Sequence, residues 1–300
     1  MLDCYIINLD KSIERWNYTS EKFRSLGLNV LRVPAIEGKD LTFPHPDFAA
    51  WRYFFWYGRK MIPNKVACFF SHIKALRNFL DSEKEHAMIC EDDVIPCPEL
   101  MEIVETAMRY SDHWDLLRLN GIKPTRGWDF AELPYGYRLG CDLKTASGNG
   151  GKIVNRRAAE KIIKQCLPMR LPHDVTLFYD LPIGIREVSI RPFPIQLNDV
   201  MSKASSIGDQ PPHLFFHPLL LAHLTKLPYK IITRSIRKIS RIRWAIQNSF
   251  FPPKLSANDL VTDDVYGKRN DSCNPKERLG AGISNTPKDN NCDKISPDQV

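Results

Sequence analysis

No unbroken apolar run in this chain is long enough to cross a bilayer. The most hydrophobic stretch, LFFHPLLLAHL at 214–224, is interrupted by His217, Pro218 and His223 and falls well short of the roughly 20 residues a spanning helix needs. No pair among the eight cysteines (4, 68, 90, 97, 141, 166, 273 and 292) has CxxC spacing, which excludes a paired-cysteine zinc ribbon or redox motif and leaves reduced, buried thiols as the expectation. No basic segment precedes the apolar start of MLDCYIINLD, so these residues read as an opening strand, not a secretory signal. These absences together lead us to expect a cytoplasmic, reducing compartment. There is no internal repeat, and therefore no solenoid.

Three hundred residues, 43% of them apolar, suffice for one large core with an appendage. The periodicities over the first two hundred residues alternate between strand and helix. Cys4 to Asn8 is a short β run; Ser12 opens a helix with Ile13, Trp16 and Phe23 on one side, and Gly27 closes it. A strand near Val30 to Val33 leads to a Pro- and aromatic-rich loop over 44–63. An amphipathic helix follows, with Val66, Phe69, Phe70, Ile73, Leu76 and Leu80 on one face. Residues 86–90 form the next strand, Pro98 suits the first position of another helix, and WDLLRLN returns as a strand. The stretch SGNGGKIVN reads as a glycine-rich turn before a helix for which Asn155 is a candidate cap. Such alternation predicts an α/β sandwich on a mostly parallel sheet.

The net charge of +7 is unevenly placed. From Pro211 to Lys254 there are eight Lys or Arg residues and no Asp or Glu. At about 100° per residue, Ile231, Ile232, Ile236, Ile239, Ile242 and Ile246 fall in one sector with Lys230, Arg234, Arg237, Lys238 and Arg241 opposite. A basic amphipathic helix of this kind, over 229–247, suits an anionic membrane surface; packing of its isoleucine face on the preceding domain is the other reading. Beyond it the chain is rich in Asn, Asp, Gly, Ser and Pro, a composition expected to be disordered. The expected divisions are 1–210, 211–254 and 255–300.

Chemistry gathers at AMICEDDVIPCPEL, where Glu91, Asp92 and Asp93 follow directly on an apolar strand. Adjacent carboxylates must be neutralised by protons, bases or a cation. In α/β sheets ligands bind beyond the carboxyl ends of strands. Mg²⁺ or Mn²⁺ takes one or two carboxylates together with phosphate oxygens, so Asp92 and Asp93 are candidate ligands of a metal that also binds a diphosphate. The alternative is a solvated acidic cap on the helix near Pro98.

The blocks CYIINLDKSIERW, LRVPAIEGKDL, KVACFFSHIKALRNFL, AMICEDDV, WDLLRLNG and SIRPFPIQLNDVMSKASSI, in this order over roughly residues 1 to 207, resemble glycosyltransferase family 25, which includes bacterial lipopolysaccharide and lipooligosaccharide galactosyltransferases. The resemblance implies a GT-A-like (Rossmann-like) fold in which Glu91-Asp92-Asp93 is the acidic motif holding Mn²⁺ or Mg²⁺ against a nucleotide-sugar diphosphate. It implies inverting transfer, for which Asp174 in LPHDVTLF is the candidate base, with helix capping as its rival role, and Asp93 belongs to the catalytic motif. Asn8, Asp10, Arg15, Ser71, His72 and Glu91 lie in matching blocks as candidate donor-binding residues; the rival roles are helix capping for Asp10, a solvated helix face for Arg15 and a structural place in the helix for Ser71 and His72. Asn149, Gly150 and Gly151 are backbone that could approach substrate or only a turn. The implied partners are UDP-galactose and a lipid-linked saccharide acceptor at the inner face of the cytoplasmic membrane. A metal-dependent phosphodiesterase or nucleotidyltransferase also uses acidic strand ends, and positive charge alone admits a nucleic-acid-binding module, although no nucleic-acid motif supports that.

Overall fold

The computed structural model describes residues 2–201 except 58, 122–126, 143–147, 149, 177–183 and 199, together with Ser235, Ile239 and Ile242. Its ten strands are β1 (Asp3–Asn8), β2 (Asn29–Pro34), β3 (His86–Glu91), β4 (Val94–Pro96), β5 (Leu116–Arg118), β6 (Gly127–Glu132), β7 (Arg138–Asp142), β8 (Gly151–Asn155), β9 (Glu187–Arg191) and β10 (Ile195–Leu197). Its helices are α1 (Ile13–Arg24), α2 (Ala50–Tyr57), α3 (Pro63–Leu80), α4 (Leu100–Met108), α5 (Arg156–Cys166) and the single turn α6 (His173–Val175). The architecture is α/β, as expected. An eight-stranded sheet runs β2-β1-β3-β8-β5-β9-β7-β6, and β4 and β10 form a separate antiparallel pair.

Strand alternation divides the core into two. Tyr5, Ile7, Ala87, Ile89, Leu116 and Val154 pack with α3 and α5. Their neighbours Cys4, Ile6, Met88, Cys90, Leu117 and Ile153 pack with α1 and α4 on the opposite face. Both faces being covered, β1 is buried along its whole length, and its middle, Cys4 to Ile7, reads as a continuous apolar run. The described cysteines are free, and Cys4, Cys90, Cys141 and Cys166 are buried.

Local readings fail at four places. The loop expected over 44–63 contains α2, AWRYFFWY. Its aromatic residues supply no polar face by which periodicity could mark a helix. Within SGNGGKIVN, read as a turn, Gly151–Asn155 is strand β8, antiparallel to both β3 and β5. The sheet is therefore parallel along β2-β1-β3 and between β5 and β9, and antiparallel elsewhere. Pro98 lies before α4, whose cap position is Glu99. Ser12 occupies the cap position of α1 but makes no side-chain capping bond. Asn155 does cap α5, accepting from the Ala158 amide at 2.8 Å. Of the basic segment, Ser235, Ile239 and Ile242 are described: all three are helical, and Ile239 is 65% exposed. The rest of residues 211–300 lies outside the described residues.

Register positions the site. In the parallel pair β1 and β3, Ile7 lies beside Glu91, so both strands end at the same edge of the sheet. Because β8 is antiparallel, it begins at that edge, with Gly151 beside Cys90 and Lys152 beside Ile89. A Cβ on Gly150 would stand 2.7 Å from Val94, so this entry to β8 has no room for a side chain.

At the opposite edge the fully buried Asp115 accepts from Arg186 Nη2 at 2.9 Å, Arg157 Nη1 at 3.0 Å and Asn155 Nδ2 at 3.1 Å. Burial by itself would raise this carboxyl, but the bonds from Arg186 and Asn155 outweigh it and hold the group at about 2. Its contribution is therefore present above the ordinary carboxylate range and lost as pH falls toward 2. Asp115→Asn should cost on the order of 2 kcal/mol in urea unfolding at pH 7, and that difference should shrink between pH 4 and pH 2.

Candidate active site

The three acids at the end of β3 occupy three different environments. Glu91 is the last strand residue, and its Oε1 lies 3.1 Å from His72 Nε2. Asp92 is clamped: Oδ2 accepts from Asn8 Nδ2 at 2.7 Å, Oδ1 from Arg15 Nη1 at 3.3 Å, and its carbonyl from Thr19 Oγ1 at 2.8 Å. Asp93 is buried at Oδ1, which has no hydrogen-bond partner among the described residues. Its own carbonyl accepts from the Asn198 amide at 2.8 Å, which fixes the turn between β3 and β4 against the end of β10.

Burial pushes all three carboxyls up, but the counterweights differ. For Glu91 the opposing charge is Lys152, and for Asp92 it is the Asn8 bond and Arg15. Asp93 has the weakest compensation; burial and then the charges of Glu91 and Asp92 raise it to about 7. A buried carboxylate oxygen with no partner among the described residues, beside two further acids, has the character of a cation ligand. Hard oxygen donors at Asp92 and Asp93 fit Mg²⁺ or Mn²⁺. A second group of possible ligands is softer: Cys68, His72 and Glu91 present ligand atoms within 4.8 Å of one another.

The sequence candidates largely converge. Arg15, Ser71, His72, Glu91, Asp92 and Asp93 line one cleft of about 130 Å³. Asn8 supports Asp92 from beside this cleft, and its Oδ1 accepts from Arg32 Nη2 at 2.7 Å. Asp10 stands apart, exposed and paired with Arg32 at 3.0 Å. Arg15 is directed at Asp92 and the Met201 carbonyl, so it anchors the acidic turn as well as lining the cleft. Ser71 donates to the Ala67 carbonyl at 2.8 Å and accepts from the Ile36 amide at 2.9 Å, tying the segment after β2 to α3. Asp174 belongs by its backbone to α6, beginning next to Pro172; Asn149 lies outside the described residues. A larger groove of about 660 Å³ adjoins β4, with Tyr18, Tyr135, Tyr137 and Phe193 among its walls.

Sequence reasoning missed Lys152 and His173. Both are buried, at 1% and 4% exposure. Lys152 Nζ lies 3.1 Å from His173 Nε2 and 3.5 Å from His72 Nδ1, and the two imidazoles stack at 3.7 Å with an 11° tilt. Burial lowers Lys152 to about 7 against the pull of Glu91, with Arg118 adding to the drop. Burial, then neighbouring positive charge, lowers His72 well below the ordinary range. For His173 the causes are burial, His72, Lys152 and Arg118. A lysine inside a strand was the one available signal, and the glycines before it concealed the strand.

Residues 1–177 match the family model described as Glycosyltransferase family 25 (LPS biosynthesis protein). A protein from Aedes aegypti named "Glycosyltransferase 25 family member" is 27% identical over 122 residues, 38% of this chain and 20% of the relative. One of the same name from Drosophila pseudoobscura pseudoobscura is 28% identical over 95 residues, covering 30% of this chain and 15% of the relative. The matched region thus spans a fifth or less of these curated relatives. The crystal structure of a glycosyltransferase involved in the glycosylation of the major capsid of PBCV-1 superimposes with a TM-score of 0.33 at 14% identity, covering 63% of this chain and 80% of that one.

Asp93 gives a direct test of the cation site. Its folded pKa is raised, so the folded state holds a proton that the unfolded chain has released, and the cost of its charge grows as pH rises from about 4 through about 7. Asp93→Asn should raise Tm at pH 8 and leave it nearly unchanged at pH 4. Millimolar Mn²⁺ should raise Tm of the wild type and not of the variant, as measured by scanning calorimetry.

Proposed function

The chain belongs to glycosyltransferase family 25, and we propose that it transfers galactose from UDP-galactose, with inversion, onto the saccharide of a lipid-linked acceptor of the lipopolysaccharide or lipooligosaccharide type. The observation that carries this reading is the unpartnered carboxylate oxygen of Asp93 beside the clamped Asp92, at the shared end of β1 and β3. Asp93, with Asp92, would hold Mn²⁺ or Mg²⁺. When bound, the ion supplies Lewis-acid stabilisation of the departing diphosphate.

The protein's own residues do the remaining work. Asn8 and Arg15 keep Asp92 from turning away from the cleft, so the two adjacent acids do not separate when charged. His72 holds Glu91 at one oxygen, leaving the carboxylate on the cleft wall as an acceptor for donor hydroxyls. Asp174 takes the proton from the acceptor hydroxyl as that oxygen attacks the anomeric carbon opposite the leaving diphosphate, which inverts the centre. The groove adjoining β4 suits the acceptor, since aromatic walls stack on the apolar faces of sugars.

Membrane attachment is the second part of the proposal. No described helix is long and apolar enough to cross a membrane. The acid-free basic stretch from Pro211 to Lys254 and the exposed Ile239 favour peripheral binding to an anionic inner leaflet through residues 229–247. The full chain should sediment with phosphatidylglycerol vesicles at low salt and not with phosphatidylcholine vesicles; equal binding to both would remove this part of the proposal.

The reaction is tested with a panel of nucleotide sugars. We expect UDP release from UDP-galactose that requires Mn²⁺ and stops with chelator. Asp174→Asn should lower transfer by about 10²- to 10⁴-fold with UDP affinity unchanged. Wild-type turnover in that variant would exclude Asp174 as the base.

A further inference from the structure

Strand β8 is enclosed by β3 and β5, with Ile153 and Val154 in the two cores. A lysine in such a strand pays a desolvation cost that a leucine or methionine would avoid. Lys152 is nevertheless there, and no carboxylate bonds to it among the described residues; its partners are two imidazoles. The charged and titratable groups around it come from every neighbouring element: Cys68 and His72 from α3, Cys90 and Glu91 from β3, Arg118 from β5, and His173 from α6. Arg118 is committed to Glu187 at 2.6 Å, so it does not compete for the imidazoles.

Donor and acceptor counting links the ring tautomers to the charge on Lys152. In its ammonium form Lys152 can only donate. His72 Nδ1 and His173 Nε2 then both accept from it, which puts the ring protons on His72 Nε2 and His173 Nδ1. The proton on His72 Nε2 points at Glu91 Oε1, 3.1 Å away, and completes a chain Lys152–His72–Glu91 that ends on the cleft wall. The other arm, Lys152–His173, ends one residue before Asp174. Without the ammonium, His72 is free to adopt the opposite tautomer, in which its Nε2 lone pair faces the Glu91 carboxylate and repels it.

We infer that Lys152 is a positioning residue for both halves of the site: through His72 it orients Glu91 on the donor side, and through His173 it seats the single turn that carries Asp174. This inference rests on the transferase reading for its catalytic consequence, but its structural content is measured separately.

The experiment compares wild type, Lys152→Met and Lys152→Gln by long-range ¹H–¹⁵N imidazole NMR and by steady-state transfer. Wild type should show His72 protonated at Nε2 and His173 at Nδ1. Lys152→Met should lose that pattern at one ring or both and lower kcat at least tenfold, with the Kd for UDP and Mn²⁺ changed less than threefold. Lys152→Gln, which keeps N–H donors, should retain the wild-type tautomers and kcat within threefold of wild type, and it also serves if the methionine variant does not fold. Wild-type tautomers together with kcat within twofold of wild type in Lys152→Met, or wild-type tautomers with kcat lowered tenfold or more in Lys152→Gln, would overturn the inference. A wild type that transfers from no donor refutes the transferase reading, and the NMR tautomers still judge Lys152.

Discussion

The bond from Asn8 to Asp92 is the constraint on which the site depends. It joins the end of β1 to the turn after β3 at 2.7 Å, and Arg15 and Thr19 of α1 close on the same residue. With Asp92 neutralised in this way, the acids on either side are left with distinct duties. Glu91 is turned toward His72, and Asp93 keeps a buried oxygen without a partner. Three adjacent acids are tolerated because one is clamped, one is held through an imidazole backed by a lysine, and the third, Asp93, is pushed up to about 7 and so toward its neutral form. That third acid is where a cation has the most to offer.

The rest of the fold serves this edge of the sheet. Parallel pairing of β2, β1 and β3 brings their carboxyl ends together, and antiparallel β8 returns a backbone start to the same place. That reversal is what allows a residue numbered 152 to stand beneath residues 72 and 91. The opposite edge, by contrast, is stitched by Asp115 and its arginines, so stabilising and destabilising charges lie at different ends of the same strands.

Much of this was legible in the sequence, and the exceptions have physical causes. β1, α3 and β3 declare themselves because their apolar residues follow strand or helix period, and an acidic triplet at a strand end marks the ligand edge. Three adjacent acids cannot be ranked from sequence, because what separates Asp92 from Asp93 is the reach of Asn8 and Arg15 from elsewhere in the chain. Arg15 reads from sequence as a candidate donor-binding residue, and its clamp on Asp92 is visible only once the chain is folded. Lys152 and His173 were invisible because their meaning lies in a meeting of α3, β8 and α6 that no local pattern records. The glycines at 148, 150 and 151 signal a turn, and the last of them is already the first residue of the buried strand β8.

The most direct test of the central claim is calorimetric titration of UDP into the full-length wild-type protein, with Mn²⁺ and again with chelator. The account predicts binding that depends on the metal, because Asp93 would hold the ion that neutralises the diphosphate. UDP binding of equal affinity in chelator, or no binding in either condition, would contradict it.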